Sequence, residues 1–572
     1  MVVLKFKANI LDFDVEDIYP AEVFIEDGLI SDIIKLDSDE ALDFDGVLIP
    51  GFIDGHIHVE STMLIPSNFA KAVVRFGTTS VVTDSHEIVN VLGREGMDFM
   101  LKDALSVPFD FYFSAPSCVP ATPFETNGAV FSVDDIEDVF NIPNVICLGE
   151  VMDFPAVISG DEEIVRKLDV AKSLGFPIDG HCPNLFGEDL KKYVSYGIST
   201  DHESVSFNEA IEKKKLGVKI MIREGSSAKN MDDLLNINDR IRYWTNESKF
   251  GNITIKEYEE LLKHPIFDFL VTDDKNPKDL EKGHLNILVK RAIEKDINPI
   301  EAIKMVTLNP AKHYKLNSGE IKIGKKANLV LVDDLNNLNI KKTFINGQIV
   351  YENNKTLFKT KKPQIKNTFN INLKKPEDFN IKYEKNTVKV NVIKAINNEI
   401  ITEPIIKTLK TKNQIIQPDI KEDILKISVI ERYGHNNISN AFINGFNLKT
   451  GAIASSVAHD SHNIITVGTN SKDMSNAVNT IIKNKGGMAV SNKNKIDLLK
   501  LPIAGLMSNE EIGPVAKQLK HMENTVKEMG STFDSPFAIL SFMALLVVPT
   551  LKISDKGLFN LEKLKKENVI IE

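Results

Sequence analysis

The strongest constraint in this chain is a rhythm. From about residue 50 to 315, short apolar runs alternate with amphipathic stretches, the pattern of βα units in a parallel sheet. Eight runs qualify as strands: Leu48–Ile53, Thr79–Val82, Phe109–Phe113, Val145–Leu148, Pro177–Ile178, Ile198–Ser199, Val218–Ile222 and Phe267–Val271. Eight βα units in sequence close into a (β/α)8 barrel of roughly 250 residues. The fifth and sixth runs are thin and are accepted because of the residues that follow them.

Those residues are the second signal. Asp54, His56 and His58 follow the first strand, and Asp84-Ser85-His86-Glu87 the second. Glu150 follows the fourth, His181 the fifth and His202 the sixth. Arg223-Glu224-Gly225-Ser226 follows the seventh, and Asp273-Asp274 the eighth. Barrel chemistry gathers at the C-terminal ends of the strands, where five histidines of this segment fall. His264 and His313 do not, and they read as structural. His284 lies beyond strand eight and stays open as a substrate contact.

Two histidines one residue apart at a strand end face the same side, because side chains alternate with period two. His56 and His58 can therefore grip one ion. Taken singly, Glu150, His181 or His202 could equally be structural. Taken in barrel order with Asp273, they form a ligand set for two ions bridged by Glu150. Paired ions sit roughly 3.5–4 Å apart and share a hydroxide that is nucleophilic at neutral pH. Imidazole and carboxylate without thiolate suit Zn, Fe or Mn. His58-Val59-Glu60 also matches half of the zinc cytidine-deaminase motif, but no Pro-Cys-x-x-Cys partner is present, so that chemistry is set aside.

The chain of 572 residues is too long for one ordinary domain. Residues 1–48 and 317–355 read as one small β-sandwich domain made from both flanks of the barrel, which spans 49–316. Residues 356–424 read as a solvated linker, since 355–394 hold eleven Lys against three acidic residues. Residues 425–572 read as an extra α/β C-terminal domain. The apolar run Phe537–Pro549 is too short to span a bilayer and reads as a buried helix. A net charge of −11 argues against a nucleic-acid binder. The three cysteines, Cys118, Cys147 and Cys182, form no Cys-x-x-Cys pair. With no signal-peptide pattern, no membrane partner and a cytoplasmic location are expected.

The segment Pro50-Gly51-Phe52-Ile53-Asp54-Gly55-His56-Ile57-His58-Val59-Glu60-Ser61 resembles the entry motif of the amidohydrolase superfamily, in the form carried by adenine deaminases. Thr83–Val91, Ser114–Thr122, Gly149–Met152 and Val271–Asp274 resemble the same family. So do Ala458–Asn463 and Pro502–Ser508 in the C-terminal domain. The stretch Asn236–Glu259, with the only tryptophan (Trp244), is longer than that family leads one to expect.

The resemblance implies hydrolysis of adenine to hypoxanthine and ammonia in purine salvage or catabolism, by a metal-bound hydroxide attacking C6. It implies a binuclear Mn2+ or Fe2+ centre held by His56, His58, Glu150, His181, His202 and Asp273. Glu150 stands where many superfamily members carry a carbamylated lysine. Asp273 is the expected proton relay from the hydroxide to the leaving amine, and Glu87 or His86 the group that protonates the ring. Glu224, Ser226 and His284 are candidates for reading the purine edge. The expected assembly is a homo-oligomer, a dimer. Two alternatives stay open: another amidohydrolase reaction on a cyclic amide or related nucleobase, and a metal-binding protein without catalysis. His459 and His462 are either structural or close to a barrel mouth, this chain's or a neighbour's.

Overall fold

A computed structural model describes residues 4–247, 263–397 and 399–571. The second half of the stretch Asn236–Glu259, from residue 248, lies outside the described residues. So does the Trp244 side chain.

The barrel strands are β1 (Phe52–Ile57), β2 (Thr78–Thr83), β3 (Asp110–Ala115), β4 (Val145–Val151), β5 (Ile178–Gly180), β6 (Thr200–Asp201), β7 (Lys219–Arg223) and β8 (Phe269–Val271). β1 to β5 pair in parallel in chain order, as do β6 to β8. Parallel bridges Ile178–Ile198 and Ile57–Asp273 join the two sets and close the cylinder. β1 and β2 are buried along their whole length, as expected for strands covered on both faces.

Most boundaries shift by one to three residues from the sequence reading, β6 begins just after the run Ile198–Ser199 expected for it, and the first strand differs most. Leu48 and Ile49 belong to a separate strand, Val47–Pro50, and the first barrel strand begins at Phe52. The chain passes from one sheet to the other at Gly51, where a Cβ would lie 2.3 Å from the Thr79 hydroxyl. Only glycine fits that approach.

β5 and β6 have three and two residues, which explains their weak apolar signal. Buried polar bonds compensate. The Lys213 ammonium donates to Cys182 O, Asp201 Oδ2 and Glu209 Oε1, each at 2.8 Å. Asp201 Oδ1 in turn accepts from the Cys182 amide at 3.1 Å. This lysine ties together the two short strand ends that carry His181 and His202.

Val47–Pro50 sits inside an eight-stranded sheet built from residues 4–35 and 329–356. The Phe6 and Phe344 rings lie 5.6 Å apart although their strands are three positions apart in the sheet. A flat sheet would separate those strands by about 14 Å, so this one coils over its own core.

The C-terminal region is built on a ten-stranded sheet, and it begins inside the segment read as a linker: 357–375 form no helix or strand, but 387–416 supply strands of this sheet. Thr387–Ala395 and Thr402–Lys412 pair over nine residues, and the first of them also pairs with Ile438–Asn444. In the first of these strands Thr387, Lys389 and Asn391 alternate with Val388, Val390 and Val392, which are buried. The helix Ser471–Asn484 covers this sheet with Met474, Ala477, Val478 and Ile481, the i, i+3, i+4, i+7 stripe of an amphipathic helix. Asn470 caps it, accepting from the Asp473 amide at 2.9 Å.

The apolar run Phe537–Pro549 is helical only to Phe542. Its remaining residues are irregular and bend over the barrel mouth, where Leu545, Val547 and Val548 line a cavity. Among the described residues no helix is long and apolar enough to cross a membrane. The C-terminal region docks on the barrel through the Ser508 amide and Met63 O at 2.8 Å. The Thr126 hydroxyl and Asp555 add a bond at 2.6 Å.

Candidate metal centre

The strand ends converge as the barrel geometry requires. His56 Nε2 and His58 Nε2 lie 3.5 and 3.3 Å from Asp273 Oδ1. His58 Nε2 is 3.1 Å from Glu150 Oε1. The other oxygen, Glu150 Oε2, is 2.7 Å from His181 Nδ1 and 3.1 Å from His202 Nε2. Glu150 thus gives one oxygen to each of two imidazole groups. His58 Nδ1 donates to the Asp84 carbonyl at 3.0 Å, which leaves its Nε2 lone pair aimed at the site.

Asp84 holds the centre from behind. Its Oδ2 accepts from the Glu150 amide at 2.9 Å, and its Oδ1 is 3.3 Å from His86 Nδ1. A Cβ on residue 149 would lie 2.3 Å from that Oδ2. This explains the glycine before Glu150.

The residues fit divalent cations. His56 Nε2 and His181 Nε2 are buried without a hydrogen-bond partner among the described residues. Glu87, Glu150, Glu203, Asp273, Asp274 and Asp460 line the cavity, and among its described lining residues only Arg223 carries a permanent positive charge. Such an excess of buried carboxylate calls for cations. His56, His58 and Asp273 form one triad able to hold an ion, and His56, Glu150 and His202 form another.

The electrostatics follow from burial and pairing. Burial alone would raise the Asp273 carboxyl, but the Arg223 guanidinium and the rings of His56 and His58 hold it well below the usual carboxylate range. Arg223 donates to Asp273 Oδ2 at 2.8 Å and also grips Glu203. Burial opposes protonation of His181, but Glu203 and Glu150 outweigh it and bring that ring to about 9.

His86 and Glu87 open the helix after β2. His86 Nε2 is 3.6 Å from Glu87 Oε1 and its Nδ1 is 3.7 Å from Glu150 Oε1. Both residues therefore face the cavity. Glu87 is held from the far side by the C-terminal region of this same chain. His459 Nδ1 lies 2.6 Å from its Oε1, and His462 Nε2 bonds its Oε2. Against burial, these two rings keep Glu87 well below the ordinary carboxylate range. Against its own burial, the Glu87 charge raises His459 to about 9. Burial lowers His462 to about 4.

The three candidate purine-edge residues are placed elsewhere. Glu224 points away from the cavity; its carboxylate accepts from the Met231 amide at 3.2 Å and pairs with Arg291. The reason is strand alternation: Arg223 points inward, so Glu224 points outward. His284 is fully buried and bonds Thr78 Oγ1 at 2.8 Å, with its Nε2 3.2 Å from Asp54 Oδ2. It supports Asp54 and does not reach the cavity. Ser226 accepts from the Asn276 amide at 2.9 Å and lines an adjoining cavity with Ser61, His459 and Phe542.

Reading by strand ends missed Glu203, Arg223, His459, Asp460 and His462 as members of the site. Arg223 and Glu203 carried a signal, since each stands at or just after a barrel strand. The C-terminal trio carried none beyond its own motif.

Residues 47–350 match the amidohydrolase family. Residues 399–565 match the adenine deaminase C-terminal domain. The chain is 46% identical over 561 residues to an adenine deaminase of Methanosphaera stadtmanae, covering 97% of each chain. It is 42% identical over 570 residues to one of Methanothermobacter thermautotrophicus, covering 98% of this chain and 99% of that one. An adenine deaminase of Borreliella burgdorferi is 41% identical over 569 residues, with 98% and 99% covered. Likeness of this degree over nearly the whole length, on a barrel whose strand ends gather imidazoles and carboxylates, shows that the chain belongs to the adenine deaminase family of amidohydrolases.

Proposed function

We propose that the protein hydrolyses adenine to hypoxanthine and ammonia at a binuclear centre. The observation that carries this reading is the division of the Glu150 carboxylate, with Oε1 turned to His58 and Oε2 to His181 and His202. His56, His58 and Asp273 would hold one ion, His181 and His202 the other, with Glu150 between them. Nitrogen and oxygen donors without thiolate accommodate Mn2+, Fe2+ or Zn2+, and the family resemblance favours Mn2+ or Fe2+. When bound, such a pair supplies a water molecule of lowered pKa.

The chain's own groups supply the proton traffic. Asp273 is kept ionised by Arg223, so it can accept a proton from the attacking water. It then delivers that proton to the amino nitrogen leaving C6. His86 or Glu87 supplies the proton that the ring nitrogen takes as negative charge builds on the purine: against burial, Asp84 and Glu87 hold the His86 ring protonated, and the ionised Glu87 carboxylate would serve by first taking a proton from His86 or His459. Each such transfer contributes about 10²–10⁴-fold.

The test is ammonia release from adenine, adenosine, guanine and cyclic amides, using protein stripped of metal and reloaded separately with Mn2+ and Fe2+. Turnover of adenine above all others is expected. Inertness on adenine with both metals would defeat the proposal.

A further inference from the structure

The cavity above the ligand set has two makers. The barrel forms its floor, and the C-terminal region forms its roof with Phe542, Leu545, Val547 and Val548. These four apolar side chains are suited to the face of a planar base. Beside them stands a carboxylate, Asp460, which is 3% exposed. Its Oδ2 has no hydrogen-bond partner among the described residues. A buried acceptor left without a donor is costly, and a bound ligand removes that cost by supplying one.

Asp460 is held in place on both sides. His459 and His462 both grip Glu87, and the His459 ring stacks on Phe542 with centroids 5.0 Å apart and planes at 11°. A donor atom of Asp460 lies within 4.8 Å of His86 and Glu87. The carboxylate therefore faces the space in which the reaction takes place.

The chemistry of the base narrows what Asp460 can bind. Neutral adenine offers a carboxylate only two kinds of donor, the amino group at C6 and one ring N–H. The other ring nitrogens are acceptors. The amino group is the leaving group, which Asp273 serves in the mechanism above.

We propose that Asp460 is a substrate-binding residue whose Oδ2 accepts a hydrogen bond from the purine ring N–H, under a roof formed by Phe542, Leu545, Val547 and Val548. The C-terminal region is thus half of the binding pocket, and it selects bases whose ring N–H is free. This inference rests on adenine as the substrate.

The experiment compares full-length, metal-loaded wild type with Asp460→Ala and Asp460→Asn. It measures kcat and KM for adenine and for its 3-, 7- and 9-methyl derivatives. Hypoxanthine binding by calorimetry and metal content are measured alongside. Both variants should keep wild-type metal content, raise KM for adenine at least about tenfold and weaken hypoxanthine by a similar factor. Each of the three methyl derivatives has lost the single ring N–H, so each should cost the wild type at least about tenfold in kcat/KM and cost Asp460→Ala much less. Equal methylation penalties in wild type and Asp460→Ala at every position would overturn the assignment. Loss of metal in Asp460→Ala would also overturn it and make Asp460 a cation ligand. The wild-type penalty is read on the intact enzyme, so a poorly folded variant leaves it standing; a wild type that turns over any one of the three derivatives as well as adenine overturns the inference by itself. Failure of the metal-loaded wild type to deaminate adenine at all would instead defeat the proposed reaction, and this inference with it.

Discussion

The two halves of the site were assembled by different rules. The barrel half obeys a local one: each of its ligands stands at the end of a parallel strand, so chain order alone brings them together. His56 and Asp273 meet because β1 and β8 are neighbours in a closed cylinder. The C-terminal half obeys no local rule. His462 reaches Glu87 across 375 positions of sequence, and only docking of two folded regions makes that contact. The first half gathers the residues that could hold ions, and the second places a carboxylate and covers the cavity. A metal site can therefore be read from a strand pattern, whereas the pocket that chooses the substrate cannot.

The sharpest way to break this division is to remove chemistry from the barrel half without removing metal. Asp273→Asn should lower kcat by roughly 10²–10⁴-fold while bound metal stays at the wild-type level. Parallel loss of metal would reduce Asp273 to a ligand. Next in size is the support beneath the short strands. Lys213→Met strips the charge partner from buried Asp201 and Glu209, and should destabilise the fold by about 3–5 kcal/mol. Because Lys213 also binds Cys182 O, metal should be lost first from the His181 and His202 side. A denaturant titration with metal analysis reads both effects.

The C-terminal half should respond more mildly. His459→Leu or His462→Phe leaves every proposed ion ligand intact. Each should lower kcat/KM by roughly 10–100-fold, as loss of an orienting partner does, with metal content unchanged. A shifted pH profile in these variants would mark Glu87 as the group they position. A wild-type profile with wild-type rates would mean that the docked histidines only hold the domains together. Smallest of all is Glu224→Gln. Its carboxylate faces Arg291 outside the barrel, so KM for adenine should stay within about twofold. A large rise in KM would restore Glu224 to the binding site.

The same contrast explains what the sequence disclosed. Seven of the eight barrel strands overlap the apolar runs that mark them; the run Ile198–Ser199 ends just before β6, and both β5 and β6 depend on the histidines behind them for their placement. Glu224 was misjudged although period-two alternation from Arg223 already turned it outward. His284 lies beyond the strand end, where the rule that found the others says nothing. The strands at 387–412 were hidden by their lysines, yet Val388, Val390 and Val392 show the alternation of a half-buried strand. High lysine content described the solvent face and concealed the other. The run after Phe542 looked like plain core because a roof over a substrate and a core helix are built from the same residues.

In the proposed reaction Glu150 would bridge two ions, and both are needed for deamination of adenine. Its most direct test is titration of metal-free protein with Mn2+ while ammonia release from adenine is followed. Activity that rises to a plateau at two equivalents per chain, and is small at one, is the predicted result. A plateau at one equivalent, with no further gain from the second, would contradict the account.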